Sequence, residues 1–402
     1  MRIGINASFC RKPYSGIGQV TTSFLKKLIA EEVKNLPTGQ AGKKRKNKLE
    51  FIIYLEEDLP KGFRLPENFQ KKILKPLYRR DDLIRKIWWE KYLLPRRAKK
   101  DGCEVFFSPY QCPTVMPDSM KHLMLVHDII PSLFPEYLNN ARRKHYQKLT
   151  EKAIRQADKI LTVSKRTEKD LIQHLSVPAS NISTNYISVD EIYGKLASAE
   201  MSKKVLKRYK LSPGYIFAGG GMEIRKNISG VIQAYKLLLE RNKNLPFIAE
   251  MPKLVIYGKP LPNLSLAIDA EKIVKELNLT KQVKFLGAVP QEHLPALFRN
   301  ALFFVYPSHY EGFGMQILEA MSQGTPVIAS KSSSLPEVGL DSTLYCHADD
   351  TKEISQVMRK VLTNKHLRDT MSQRGRERAK LFSWDKFVKK FYGVMSEPPI
   401  ST

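Results

Sequence analysis

Residues 307–339, PSHYEGFGMQILEAMSQGTPVIASKSSSLPEVG, follow the apolar run LFFVY at 302–306 and enclose a second, PVIA at 326–329. Both runs read as short buried strands. Between them Glu311 opens a loop, Gly312-Phe313-Gly314 turns it, and Met315 to Gln323 has the spacing of a helix ended by Gly324. The chain opens in the same order. RIGINA (2–7) reads as a strand, Ser8 to Gly18 as a loop with Pro13, Gly16 and Gly18, and Gln19 to about Val33 as a helix with Val20, Phe24, Leu25 and Leu28 on one face. Strand, glycine-bearing loop and helix begin a βαβ unit. Further apolar runs stand at 51–55, 104–107, 123–126, 160–163, 215–218, 254–257 and 283–286. Continuous apolar strands alternating with helices predict parallel sheets covered on both faces. The alternation restarts near residue 214, after a Lys-rich, helix-like stretch at 195–213. Two α/β domains are therefore expected, 1–197 and 198–382, with facing strand ends forming a ligand crevice. Residues 383–395 have the spacing of an amphipathic helix. Residues 34–48 lack periodicity and read as an exposed basic insertion.

The length of 402 residues fits two such domains. With 42% hydrophobic and 27% charged residues, a disulfide scaffold, a collagen-like fibre and a disordered chain are excluded. Charge is the unusual quantity: 67 Lys+Arg against 40 Asp+Glu, net +27, with 25 basic and 10 acidic residues among the first 100. Such an excess attracts phosphates, nucleic acid or anionic membrane. Nucleic acid is not expected as a partner, because no binding module or basic–aromatic platform is present. Cys10, Cys103, Cys112 and Cys346 form no C-x-x-C pair, which signals neither a zinc site nor a redox pair and suits a reduced cytoplasmic chain. The N-terminus lacks a signal-peptide pattern, and no run approaches 18 apolar residues, so any membrane contact is expected to be peripheral.

Three places carry chemistry. Glu311 and Glu319 are carboxylates eight apart, one on the loop and one on the helix. Carboxylates accept hydrogen bonds from sugar and ribose hydroxyls, and a helix N-terminus offers free N–H groups to phosphate. AGGGMEIRKN (218–227) places Arg225 and Lys226 beyond a glycine turn, where two cations suit a diphosphate. MLVHDIIP (124–131) places His127 and Asp128 at a strand end. The loop SGIG (15–18) lacks a full G-x-G-x-x-G, and there is no P-loop, G-x-S-x-G or H-E-x-x-H.

Together these strings resemble the retaining glycosyltransferases of fold type B, family four (the group-one glycosyltransferases). EGFGMQILEAMSQGTPVIAS is similar to the signature around that family's paired glutamates, AGGGMEIRKN to its diphosphate site and FLGAVPQEHLPALF to its nucleobase segment. ADKILTVSKRTEKDL and FSWDKF also match, and GINAS…SGIG with VHDIIPSLFPEY looks like a subgroup rich in mannosyltransferases of cell-surface polysaccharide assembly.

The resemblance implies two Rossmann-like domains facing each other across a crevice: an acceptor-binding domain (1–197), a nucleotide-sugar domain (198–382), and a C-terminal helix (383–402) crossing back to the first. It implies that Arg225 and Lys226 neutralise the donor diphosphate and Glu311 holds the donor sugar. Glu319 would accept from the ribose and Val289 lie near the base. Gly221 belongs to the diphosphate turn, and the backbone of Phe313, Gly314 and Met315 meets donor oxygens. Gly16 and Gly18 let their loop approach the phosphates, and His127 lies near the transferred sugar. The donor would be a GDP- or UDP-sugar, GDP-mannose first, and the acceptor a glycan or lipid-linked glycan. Neither metal nor cofactor is implied. A nucleotide-sugar epimerase or disaccharide synthase is the neighbouring alternative. The chain departs from the family pattern at Gln316, commonly Pro, and at Ile187-Ser188, commonly Asn-Gly. Residues 69–100 interleave cations with Trp88, Trp89 and Tyr92, and read either as an amphipathic helix on anionic lipid at the inner face of the membrane or as a helix packed on the first sheet.

Overall fold

The computed structural model describes residues 1–35, 49–76, 81–241, 251–259 and 266–397. The chain divides into two compact units, Met1–Ser188 with Ser383–Thr402, and Val189–Phe382. The division thus falls after Ser188, not at the expected 197/198. The stretch between these two points is tied to the second unit by Gln323, whose side chain accepts from the Ala197 N–H (2.9 Å) and donates to the Lys195 (3.1 Å) and Tyr193 (3.4 Å) carbonyls. Most of the expected basic insertion, 36–48, lies outside the described residues.

The first unit holds a seven-stranded sheet: β1 (Arg2–Asn6), β2 (Glu50–Leu55), β3 (Phe69–Ile73), β4 (Val105–Ser108), β5 (Lys121–Val126), β6 (Lys159–Thr162) and β7 (Ile182–Thr184), in the order β3-β2-β1-β4-β5-β6-β7. The second holds β8 (Tyr215–Gly219), β9 (Leu254–Tyr257), β10 (Val283–Gly287), β11 (Ala301–Tyr306), β12 (Val327–Ser330) and β13 (Thr343–Cys346), in the order β10-β9-β8-β11-β12-β13. All pairings are parallel. The apolar runs became the central strands, apart from 283–286, which forms the edge strand β10; helices cover both faces, and every central side chain must suit a dry environment. β3, β7 and β13 were not anticipated. They are sheet edges, and FQKKI in β3 turns Lys71 outward as an edge strand tolerates.

Each sheet has one point where strand order reverses, between β1 and β4 in the first and between β8 and β11 in the second. Loops leaving the carboxyl ends there diverge, and ligands of doubly wound sheets bind in the gap they leave.

The helix at the start of the chain runs Gly16–Asn35, three residues earlier than expected. Ser15 explains the difference, since its Oγ accepts from the Gly18 N–H at 3.1 Å and caps the first turn. The basic stretch is not one helix. After β3 it forms an α-helix at Asp82–Ile87, a π-helical turn at Trp88–Leu93 and an α-helix at Leu94–Lys100. No helix among the described residues is long and apolar enough to cross a membrane.

The C-terminal helix Trp384–Ser396 packs in the first unit. Phe391 sits edge-on to Phe24 (5.2 Å) and tilted against Phe107 (4.8 Å), and Phe387 is 5.7 Å from Phe24. Asn185 donates to the Phe387 carbonyl and Tyr392 to Glu32. Phe391 is fully buried. Phe391→Ala is therefore expected to destabilise the first unit by about 3–5 kcal/mol, read as a lower urea midpoint at unchanged slope. A shift near zero would show that the helix end contributes nothing to that core.

Candidate active site

The loops leaving β8 and β11 meet at the second sheet's reversal point, and Glu311 lies where they meet. It is 7% exposed and is surrounded by donors. Its Oε1 accepts from Lys226 Nζ (2.8 Å), the Tyr306 hydroxyl (2.7 Å) and Ser308 Oγ (2.6 Å), and its Oε2 faces Arg225 Nη1 (2.9 Å). Burial pushes this carboxyl up, but the Lys226 and Arg225 cations outweigh it and hold it at about 2. Glu311 is therefore ionised across the physiological range. Burial pulls the Lys226 ammonium below its ordinary value, with Glu311 opposing. Arg225 also donates to the Tyr310 carbonyl and pairs with Glu223 at 3.1 Å, and its ordinary charge is reinforced by Glu311.

Local backbone chemistry explains how two cations and a carboxylate come so close. Gly219, Gly220 and Gly221 all have positive φ, and a Cβ on Gly219 would stand 2.1 Å from the Tyr257 carbonyl oxygen. The chain can turn there only as glycine. On the other loop, Gly314 has φ +93 and caps the helix Met315–Ser322, and a Cβ on it would stand 2.5 Å from Leu335. Ser333 and Ser334 fix Glu311 from behind: Ser333 Oγ accepts its N–H (2.8 Å), and Ser334 Oγ donates to its carbonyl (3.0 Å). Phe313 is buried against Phe382, while Met315 is half-buried at the helix start. In the first turn the Ile317 N–H donates to the Gly314 carbonyl (3.0 Å), while the N–H groups at the very start have no carbonyl four residues back within the helix.

Glu319 is buried in the same helix. Its Oε1 accepts from Gln291 Nε2 at 3.3 Å, and the Tyr193 hydroxyl also bonds it. Burial pushes its carboxyl up to about 7, with those two bonds opposing. The expected nucleobase segment thus meets the expected ribose carboxylate, since Gln291 and half-buried Val289 belong to the same loop. The Lys226 charge also reaches Glu319.

In the first unit, His127 follows β5. Its Nε2 lies 2.9 Å from the Pro109 carbonyl, its N–H donates to Gln111 Oε1 (3.1 Å), and Thr167 donates to its carbonyl (3.0 Å). A carbonyl only accepts, so Nε2 carries the proton and Nδ1 is left as an acceptor. Burial lowers the imidazole pKa, with the Pro109 bond and Asp128 opposing. Gly16 and Gly18 lie inside the first helical turn, not in a loop. A Cβ on Gly18 would stand 1.9 Å from the Lys12 carbonyl oxygen, so its glycine is required by local packing, whereas nothing lies within 4 Å of one on Gly16.

The expected residues Arg225, Lys226 and Glu311 are therefore in mutual contact, and Glu319 is electrostatically linked to them. Sequence reasoning missed Tyr306, Ser308, Gln291 and Tyr193. Tyr306 ends β11 and Ser308 stands two residues beyond it, and nothing in their spacing marks either as a partner of a carboxylate. Gln316, noted only as a departure, places its side-chain amide 3.0 Å from the Tyr306 hydroxyl, a contact proline cannot make. Two cavities lie away from this site: about 320 Å³ around Asp81, Asn140 and Arg142, and about 360 Å³ ringed by Lys210, Lys253 and Lys284.

Comparison with known proteins identifies relatives of the chain. The family described as "Glycosyl transferases group 1" matches residues 202–378. O-antigen chain mannosyltransferase B of Escherichia coli is 32% identical over 382 residues, 93% of this chain and 93% of that one. Among solved structures, sucrose-phosphate synthase from Thermosynechococcus elongatus covers 98% of both chains at TM-score 0.72 and 16% identity. Anabaena HepE, solved in complex with UDP-glucose, covers 98% of this chain and 99% of its own at TM-score 0.68 and 14% identity. At such identities the two structures establish the two-Rossmann-domain fold of type B and nothing more. The signature around Glu311 and Glu319 lies within the matched family segment, and with the full-length relative it leads to one conclusion: the chain belongs to the group 1 glycosyltransferases.

Proposed function

We propose that the protein transfers mannose from GDP-mannose, with retention of configuration and without a metal, to a glycan or lipid-linked acceptor in cell-surface polysaccharide synthesis. The observation that carries this is the buried Glu311–Lys226–Arg225 cluster at the reversal point of the second sheet. The mannose assignment draws on the name of the O-antigen relative. In this reading the donor diphosphate meets Arg225 and Lys226, which carry the charge a divalent metal would otherwise balance, and the first turn at Phe313–Met315 adds N–H donors. Glu311 holds those cations in place while the donor is absent and orients the sugar when it is bound. Glu319 accepts from the ribose and Val289 borders the base. Gly221 leaves room for the phosphates, His127 presents Nδ1 to a sugar hydroxyl, and Gly16 lies where its helix start is open. As the bond to the nucleotide breaks, negative charge grows on the leaving phosphate, where preorganised cations contribute most. No cofactor takes part.

Three measurements test this reading. Lys226→Met is expected to lower turnover by roughly 10²–10³ and stability by about 3–5 kcal/mol, because it leaves Glu311 short of a cation. Adding Glu311→Gln is expected to restore part of the stability and none of the turnover. Recovery of both would make the cluster structural. A thermal-shift panel of GDP, UDP, ADP and their sugars identifies the base, and a preference for UDP-glucose would overturn the GDP-mannose assignment.

The pH dependence of nucleotide affinity follows from Glu319. Its carboxyl, raised to about 7, is mostly protonated at pH 6 and mostly ionised at pH 8. The ionised form accepts ribose hydroxyls better, so affinity is expected to rise over that interval by up to about tenfold per unit below the pKa. Glu319→Gln should flatten the profile in calorimetric titration. An equally steep profile in the variant would remove Glu319 from the nucleotide site.

Peripheral membrane contact is proposed for the outward face of 82–100. Trp89 is fully buried, but Trp88 is 40% and Tyr92 38% exposed, and their rings lie 5.8 Å apart. Lys91 Nζ lies 5.3 Å and the Arg96 guanidinium 5.8 Å from the Tyr92 ring centroid. Aromatic rings ringed by cations suit an anionic headgroup layer. Co-sedimentation with phosphatidylglycerol vesicles should be strong at low salt, weaker at high salt and lost in Trp88→Ala/Tyr92→Ala. Equal binding to neutral vesicles would overturn the electrostatic part.

A further inference from the structure

At the reversal point of the first sheet, one buried carboxylate stands where the loops after β1 and β4 meet, and the reaction as drawn above does not use it. Glu90 is 1% exposed. Its Oε1 accepts from the Tyr110 hydroxyl (2.9 Å) and its Oε2 from the Tyr146 hydroxyl (2.7 Å). Glu90 reaches this position through the π-helical turn, in which the Leu94 N–H bonds the Trp89 carbonyl five residues back. Pro95 has no N–H to offer the carbonyl four residues before it, which favours the wider turn. Thr114 Oγ1 donates to the Glu90 carbonyl at 2.8 Å and closes the other side.

Tyr110 is the hub of this arrangement. Its hydroxyl also meets Asn6 Nδ2 (2.8 Å) and Ser8 Oγ (2.7 Å), at the end of β1 and the start of the following loop. Its ring stands edge-on to Phe9 at 4.5 Å, and Ile17 packs on the same cluster. Its two chain neighbours hold His127: the Pro109 carbonyl takes the imidazole Nε2 proton, and Gln111 accepts the His127 N–H and donates to the Asp128 carbonyl at 3.1 Å. A shift of Tyr110 would therefore move both His127 and the Ser8–Gly18 segment.

We propose that Glu90 and Tyr110 form a positioning clamp for sugar transfer, which fixes His127 on one side and the segment leading to Gly16 and Gly18 on the other. The proposal rests on the reading above, in which these groups serve the donor. The two residues are positioning residues, since neither is open to a substrate.

The clamp is built to respond to pH. Burial pushes the Glu90 carboxyl up to about 6, against Lys86 and the two tyrosine hydroxyls, while Glu56 adds to the rise. The groups facing it are Lys86 from its own helical stretch, Tyr110 and Cys112 from the loop after β4, Tyr146 from the helix Ala141–Gln156, and Glu56 after β2, itself paired with Arg11 (3.4 Å) and Arg85 (3.2 Å). Above that value the ionised carboxylate accepts from both hydroxyls. Below it the carboxyl carries its own proton, and one tyrosine must give up its role as donor. The tightly held form is the high-pH form.

Hydrogen–deuterium exchange on the full chain tests the clamp without reference to activity. In Tyr110→Phe at pH 7, exchange is expected to rise about tenfold at the amides of 8–18 and 127–130, with 311–319 unchanged. In the wild type, exchange at those two segments, corrected for its intrinsic pH dependence, should step near pH 6. Glu90→Gln should abolish the step. In parallel, GDP release from GDP-mannose by Tyr110→Phe should show kcat lowered about tenfold to a hundredfold with KM for the donor unchanged. Wild-type exchange in Tyr110→Phe, or a step that survives in Glu90→Gln, overturns the clamp. An absence of GDP release by the wild type overturns the donor assignment instead, and the exchange arms still decide the clamp.

Discussion

The charge on Glu311 is the constraint around which the second unit is arranged. A carboxylate with so little access to water is tolerated only if cations and hydroxyls replace its hydration. Here two cations and two hydroxyls do so, and they come from chain segments about 85 residues apart. The sheet makes this meeting possible. Because β8 and β11 are adjacent, the loop carrying Arg225 and Lys226 and the loop carrying Glu311 leave from neighbouring strand ends. The glycines at 219–221 and at 314 then let both loops turn tightly enough to close the contact. In the proposed reading such a charge-balanced cluster would serve as an anion site: its cations are already desolvated and oriented, so an arriving diphosphate would compete with a carboxylate and not with bulk water.

The first sheet applies the same topology to the opposite chemistry. Its reversal point between β1 and β4 gathers a carboxylate among tyrosine hydroxyls, an asparagine and a serine, with Lys86 the nearest cation. Where two cations face Glu311 and hold its carboxyl at about 2, one cation faces Glu90 and its carboxyl rises to about 6. The two glutamates are nearly equally buried, so the difference lies in the charges opposite them and not in access to water.

Most of the fold was legible because a central parallel strand has no polar face to hide. LFFVY, YIFA, LVIY and FIIYL could be little else once helices separated them. Of the four edge strands only β10 was legible. FQKKI has the composition of a surface segment, and only its pairing with β2 makes it a strand. At the site, Arg225, Lys226, Glu311 and Glu319 could be named because charged residues beside glycines at strand ends have few structural uses. Tyr306 and Gln291 could not, since a tyrosine ending a strand or a glutamine opening a turn looks the same whether or not a carboxylate waits opposite. Gly18 also has a local reason that spacing did not show: a Cβ there would meet the Lys12 carbonyl oxygen.

The 82–100 stretch shows why its two readings could not be separated by spacing. In an uninterrupted α-helix neighbouring residues differ by about 100°, so Trp88 and Trp89 cannot share a face. The packing reading and the lipid reading each took the aromatic residues as one face. The π turn inserts an extra residue at this point and lets Trp89, Glu90, Leu94 and Ala98 all turn inward, while Trp88, Tyr92, Arg96, Lys99 and Lys100 stay outside. One irregularity thus gives the stretch an inward face that delivers Glu90 to Tyr110 and an outward face free for the proposed lipid contact. Arg96, Lys99 and Lys100 are left to the outward face, while Arg85 and Lys86 turn inward, to Glu56 and to the Phe9 and Tyr146 rings beside Glu90.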